Sequence, residues 1–114
     1  MQNQLKKLNS FSSLEELNQW LADPEFNKKL LQQIDKDFAQ LKLEFDTERP
    51  EIIIQIQQII DQLLHDDLQK LMNLLYRIDI SEQKIHKFSE REPQMPKRDI
   101  ITFLLIQREA QKIL

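Results

Sequence analysis

The densest group of polar side chains among apolar ones lies in residues 63–82, LLHDDLQKLMNLLYRIDISE. His65, Asp66 and Asp67 are residue types that bind metals and transfer protons, and the chain has only one other histidine, His86. The two histidines form no HxxxH or HExxH pair, so a zinc site would need both to converge with a carboxylate through the fold. His65 is more simply a surface partner of the acid four residues earlier on a helix. The sequence therefore predicts no metal and no cofactor.

The residues in and near this segment also give little support for covalent or acid–base catalysis. Ser81 and His86 are the nearest pair for a nucleophilic site, but Ser81 is better explained as a helix cap. Asp66 and Asp67 are adjacent, so on a helix their side chains point about 100° apart and share no proton site. The chain has 19 acidic residues, so a small enzyme that uses a carboxylate site stays an alternative. The residue types favour a protein that is not an enzyme.

Glycine and cysteine are both absent from the 114 residues. Only glycine reaches a positive φ at little cost or lets the backbone approach a phosphate closely. The Walker loop, the dinucleotide-binding fingerprint, the GxSxG nucleophile elbow and Asn-Gly hairpins are therefore excluded. The lack of cysteine excludes disulfides, cysteine-based zinc sites, iron–sulfur ligation and thiol catalysis. What remains is an all-α protein without the common catalytic loops.

The formal charge of −3 is distributed unevenly along the chain. Residues 1–83 contain 9 basic and 15 acidic side chains, whereas residues 84–114 contain 7 basic and 4 acidic ones. An ordinary mixed surface would explain this difference, and so would contact between unlike ends of two molecules or an acidic partner for the C-terminal third. The net negative charge disfavours nucleic acid as a partner, although a nucleic-acid-associated regulator acting through the basic C-terminal third stays an alternative.

The sequence predicts neither a membrane span nor a secretory signal. No apolar run exceeds four residues, whereas a membrane span needs roughly 18 to 20. The N-terminal residues MQNQLKK lack the apolar stretch of a secretory signal. These features predict a cytoplasmic protein with no membrane partner.

The spacing of apolar residues predicts one all-α domain over residues 1–114, a compact bundle of five to six helices. Any disorder is expected in residues 1–10. Serine, aspartate and proline mark the helix starts, because the first two cap a helix and proline suits its first turn. The predicted starts lie near Ser13, Pro24, Pro50, Asp66, Ser81 and Lys97.

The longest predicted helix would start at Pro24 and carry one apolar face. Its apolar residues cluster within about 140° on a helical wheel. They are Phe26, Leu30, Leu31, Ile34, Phe38, Leu41 and Phe45. In the next helix Ile54 falls outside the apolar face formed by its neighbours.

A helix break is predicted near His65 and Asp66. An unbroken helix from Pro50 to Ile78 would bury Asp67 and turn the apolar face by about 70° across that point. If Asp66 caps a new helix instead, Asp67 lies in the first turn, where the helix dipole favours a negative charge. A short helix capped by Asp79 or Ser81 follows and runs to about residue 88. Residues 89–96 then form a loop with two prolines.

The C-terminal helix is apolar on nearly every side, because six of the seven residues from Ile100 to Ile106 are apolar. Either the chain surrounds this helix or its surplus apolar surface meets a partner. With few other helices to cover it, a homodimer or another protein contacting Ile101 and Leu105 is predicted. Tyr76 and Arg77 lie off the apolar face of their helix, where Tyr76 would cover the edge of the core and Arg77 would pair with an acid such as Glu109. They are also types enriched at binding hot spots, so the predicted interface includes them.

One segment resembles a known sequence pattern. Leu74–Glu82, LLYRIDISE, resembles an LLYRID-x-SE segment of small all-helical bacterial proteins of unassigned role. Those proteins also tend to end in a helix with an Arg-Glu pair before a Gln-Lys pair, as residues 108–109 and 111–112 do here. The resemblance covers about the last 55 residues. It implies a bacterial source, and no activity or functional residue follows from it.

Overall fold

Six α-helices and no strand occur in the residues that the computed structural model describes, which are 14–49 and 51–113, with side chains from Leu17 onward. The predicted all-α bundle is confirmed. Residues 1–10 and the caps proposed at Ser13 and Pro50 lie outside the described residues. The helices are α1 (Leu14–Leu21), α2 (Pro24–Gln40), α3 (Ile52–Asp66), α4 (Leu68–Ile78), α5 (Glu82–Arg91) and α6 (Lys97–Ile113).

The start of α2 follows the prediction, but its end does not. Asp23 is the N-cap: its side chain accepts hydrogen bonds from the amides of Glu25 and Phe26, and Pro24 occupies the first turn. The helix ends at Gln40 rather than near residue 45. Phe45 still reaches the core from the following loop, where its ring lies 5.6 Å from that of Phe38. The apolar spacing therefore predicted residues that pack against the core, partly buried, beyond the point where the helix stops.

In the described part of this glycine-free chain, two residues in the left-handed conformation end helices. Lys42 follows α2 with φ 58°, and Asp79 follows α4 with φ 71°. Each lets the next amide donate to a carbonyl five residues earlier: Leu43 to Phe38 at 3.0 Å, and Ile80 to Leu75 at 2.9 Å. This is the Schellman hydrogen-bond pattern that glycine usually provides. The chain thus stops its helices without glycine, at some conformational cost.

The break between α3 and α4 is confirmed, but the capping residue is Asp67 rather than Asp66. Asp66 is the last residue of α3. The Asp67 carboxylate accepts a hydrogen bond from the Lys70 amide at 3.0 Å. The cap lies one residue later than predicted because the Asp67 amide still donates to the Leu63 carbonyl, so α3 runs to Asp66.

Replacing Asp67 by alanine is expected to lower the free energy of unfolding by about 1 kcal/mol, because the first turn of α4 loses its side-chain cap. Asparagine at the same position keeps the acceptor and is expected to be nearly neutral. Asp66→Ala is the matched control, since that exposed side chain makes no capping hydrogen bond. Urea unfolding of the three variants measures this, and an equal loss for Asp66→Ala and Asp67→Ala would contradict it.

Helix α5 begins as predicted and runs further. Ser81 rather than Asp79 is its cap, with the Ser81 hydroxyl accepting from the Lys84 amide at 3.1 Å. It continues to Arg91, so the loop predicted for residues 89–96 is limited to 92–96. The Arg91 guanidinium lies 5.2 Å from the centre of the buried Phe88 ring, a cation–π contact that supports the last turn.

Helix α6 lies at the centre of the bundle and packs against α2, α3, α4 and α5. Ten of its residues are buried, from Ile100 through Gln107 and then Glu109 and Ala110. Ile101 and Leu105 are 0% exposed. The prediction that a partner covers these two residues is therefore wrong, because the chain itself surrounds the helix. No helix in the described part of the chain has the length and apolar character to cross a membrane.

Candidate functional site

A charged cluster lies inside the bundle, where α2, α4 and the end of α6 meet. Asp37 of α2 and Glu109 of α6 are both buried, and Glu109 is 0% exposed. The Lys112 ammonium lies 2.9 Å from Asp37 Oδ2 and 2.9 Å from Glu109 Oε1. Buried charges are costly unless they are paired, so these contacts make the arrangement tolerable. We call these side chains, with Arg77 and Gln33, the Asp37–Glu109 cluster.

Arg77 and Gln33 also belong to the cluster, and each contacts a different oxygen of the Asp37 carboxylate. Arg77 Nε lies 3.4 Å from Asp37 Oδ1, and Gln33 Nε2 donates to Asp37 Oδ2 at 3.1 Å. The predicted pairing of Arg77 with Glu109 is wrong, because Arg77 meets the acid on α2. Lys112, one turn after Glu109 on the same helix, takes the place beside that carboxyl.

The two carboxyl groups differ in their affinity for a proton. The pKa of Glu109 is raised to about 8, first by burial and then by its contact with Asp37, which together outweigh the lowering of that pKa by Lys112. Burial also acts to raise the pKa of Asp37, but hydrogen bonds from Glu109, Lys112 and Gln33 outweigh it, so that pKa lies below its usual value. Asp37 therefore carries the negative charge at neutral pH, and Glu109 holds a proton.

An open groove is the second feature, between the end of α3 and helices α4, α5 and α6. Its volume is about 710 Å³, within the range of roughly 300–1,000 Å³ typical of ligand pockets. Apolar side chains of α3, α4 and α6 supply most of its wall, and polar residues of α5 with Lys97 lie along one side. The lining residues are Leu64, Leu68, Leu71, Met72, Leu75, Glu82, Gln83, Ile85, His86, Ser89, Lys97, Ile100 and Ile101.

Beside this groove, α4 exposes a row of large side chains at a spacing of four residues. Leu68 is 56% exposed and Tyr76 89% exposed, with Met72 midway between them. Residues four apart lie on one side of a helix, so the three form a continuous ridge. We call Leu68, Met72 and Tyr76 the α4 ridge. In the described part of the chain, Ile54 on α3 is the other exposed large hydrophobic residue.

The predicted interface residues separate in the structure. Tyr76 belongs to the α4 ridge and projects into solvent rather than covering the edge of the core. Arg77, about 100° further round α4, turns inward to Asp37. Ile101 lines the floor of the groove without being exposed. Leu105 lies wholly within the core. Of the four, Tyr76 is therefore the most exposed, and Arg77 stays partly exposed beside Asp37.

The histidines lie on the surface in separate local contacts. His65 Nδ1 is 3.0 Å from the Asp61 carbonyl oxygen. This backbone contact is the largest cause of the raised pKa of the exposed imidazole. His86 Nε2 lies 2.9 Å from Glu90 Oε1. Within residues 14–49 and 51–113 no group of three histidine, aspartate or glutamate side chains is arranged to hold a metal.

The Asp37–Glu109 cluster was not predicted from the sequence, although one signal for it is visible there. Asp37 lies three residues after Ile34 and four before Leu41, within the apolar face predicted for α2. An acid at such a position indicates a buried partner. Its main partners are 72 and 75 residues further along the chain, and helical spacing gives no information about contacts at that distance.

Comparison with known proteins identifies no relative of this chain. No family model, no curated protein and no solved structure matches the chain. The resemblance of Leu74–Glu82 to small bacterial proteins stays a prediction.

Proposed function

We propose that this chain is a non-enzymatic protein-interaction protein that acts as a homo-oligomer or as a subunit of a larger complex. The α4 ridge and the groove beside it form the binding surface, and a helix of the partner is the ligand. The observation that carries this proposal is the ridge itself, which exposes Leu68 and Tyr76 next to an apolar groove. The cytoplasmic location and bacterial source stay predictions from the sequence.

The shape and chemistry of this surface support a helical ligand. An amphipathic helix binds by laying apolar side chains three and four residues apart into a hydrophobic groove. The groove offers leucines and isoleucines along α4 and α6, with polar Glu82 and Lys97 near its edge. An apolar centre with a polar rim is the usual composition of protein interfaces. Tyrosine is also among the residues enriched at binding hot spots.

The burial of the Asp37–Glu109 cluster supports this proposal over an acid–base enzyme. Glu109 has the raised pKa of many general acids, but it is 0% exposed and its neighbours are protein side chains. A general acid must come within hydrogen-bonding distance of its substrate. The cluster holds α2, α4 and α6 together, which is a structural role.

Ion pairs in the C-terminal third support the proposal over a nucleic-acid regulator. Arg98 pairs with Asp99 at 3.1 Å, and Arg108 approaches Asp79 at 3.7 Å. Lys112 is held by the cluster. These three cations are partly neutralised within the protein, which leaves less positive surface for phosphates.

Site-specific photo-crosslinking in the native cells tests the proposed surface. A benzophenone amino acid at Tyr76 is expected to give one discrete crosslinked species, because this side chain is 89% exposed on the α4 ridge. The same group at Gln32, exposed on α2, is the matched control and is expected to give none. Adding Leu68→Glu should abolish the Tyr76 crosslink. Equal crosslinking from both positions, or none from Tyr76, would refute the proposal.

A further inference from the structure

We infer that the partner of the α4 ridge is a second copy of this chain, bound about a two-fold axis with the two α4 helices antiparallel. This inference rests on the proposed function and specifies the ligand for the same surface. Its basis is the symmetry of the ridge, the position of the groove and the charges at the two ends of α4.

The α4 ridge is symmetric about its central residue. Leu68 and Tyr76 each lie four residues from Met72, about 6 Å along the helix axis in opposite directions. When two copies of α4 cross antiparallel at Met72, Leu68 of each copy faces Tyr76 of the other, and the two Met72 side chains meet. A two-fold interface requires a surface that is complementary to itself in this way. Methionine suits the central position because its flexible side chain adapts to an identical neighbour.

The groove provides room for the tyrosine of the second copy. Leu68 lines the groove together with Leu64, at the junction of α3 and α4. A Tyr76 ring placed opposite Leu68 therefore lies at that end of the groove. Contact between Leu68 and this ring removes from water the two most exposed large hydrophobic side chains of the described residues.

The charges at the ends of α4 favour the antiparallel arrangement. Asp66 and Asp67 precede the helix, and Arg77 lies in its last turn. The Arg77 side chain is 36% exposed although it pairs with Asp37. Antiparallel packing brings the acidic end of each α4 to the arginine end of the other and aligns the helix dipoles favourably. It also brings exposed His65 towards Asp79, whose side chain is 85% exposed and pairs with Arg108.

Sedimentation velocity on purified variants tests the arrangement. The wild type is expected to dimerise, and Leu68→Glu or Tyr76→Lys alone to weaken association by at least about 30-fold, because each buries an unpaired charge. A mixture of these two variants should form a heterodimer, since the antiparallel register places the new glutamate opposite the new lysine. Ile54→Glu, a similar change at an exposed residue away from the ridge, should dimerise like the wild type. Circular dichroism should show equal helix content in all of them.

Each result of these measurements decides the inference. A wild type that stays monomeric at high micromolar concentration overturns it, and a Tyr76 crosslink to a different protein would then leave the proposed function standing. A dimer unaffected by Leu68→Glu places the contact elsewhere and overturns both proposals. If both variants are monomeric and their mixture forms no heterodimer, the antiparallel register is wrong.

Discussion

Replacing Leu105 by glutamate is expected to abolish the cooperative unfolding transition of this protein. Leu105 is 0% exposed on the central helix α6, and the chain surrounds it. A carboxylate at this position would be buried without a partner, at a cost comparable with the roughly 5–15 kcal/mol net stability of a domain. Circular dichroism during thermal unfolding should therefore show a helix-poor chain with no transition.

Two variants separate this core effect from a general effect of the new charge. Leu105→Ala is expected to fold but to lose about 2–5 kcal/mol, because it removes buried methyl groups and leaves a cavity. Leu68→Glu puts the same carboxylate on an exposed leucine of the α4 ridge and should keep the wild-type helix content. A folded Leu105→Glu protein with unchanged stability would mean that this face of α6 meets solvent.

The helices could be predicted from the sequence because their signals are local. Asp23 with Pro24, the break at Asp66 and Asp67, and the serine cap at Ser81 each depend on residues within one helical turn. The predicted helix ends that are wrong differ from the observed ends by one to a few residues. At these ends a backbone hydrogen bond determines where the helix stops. The donation from the Asp67 amide to the Leu63 carbonyl is one such case.

The position of α6 in the bundle could not be predicted, because it depends on how other helices pack. A helix that is apolar on nearly all sides is compatible with a buried centre or with a partner. Five other helices were expected to be too few to cover it. Four of them suffice, since α2, α3, α4 and α5 all contact α6. The exposed large hydrophobic side chains, which the proposed partner would cover, lie on α4 instead, at Leu68 and Tyr76.

The stability of the protein is expected to fall as the pH rises from 5 to 8, because Glu109 must give up its proton inside the bundle. Its pKa is raised from 4.5 to about 8 in the folded chain. Over this range the folded state holds a proton that the unfolded state has released, so each step up in pH favours unfolding. The loss should be on the order of 3 kcal/mol, since one pKa unit corresponds to about 1.4 kcal/mol and coupling to Asp37 and Lys112 reduces the total. Above pH 8 the loss should level off.

Glutamine at position 109 provides the direct test, because its amide is neutral at every pH and has nearly the same shape as the protonated acid. Urea unfolding at several pH values should show Glu109→Gln almost constant from pH 5 to 8, and more stable than the wild type at pH 8.5. His65→Gln is the necessary control, since the raised pKa of that exposed imidazole gives a slope of the same sign. Below pH 4 both proteins should weaken together, because the lowered pKa of Asp37 makes its carboxylate a stabilising group that acid removes. If Glu109→Gln keeps the wild-type slope between pH 5 and 8, Glu109 is ionised in the folded protein and the proton lies elsewhere.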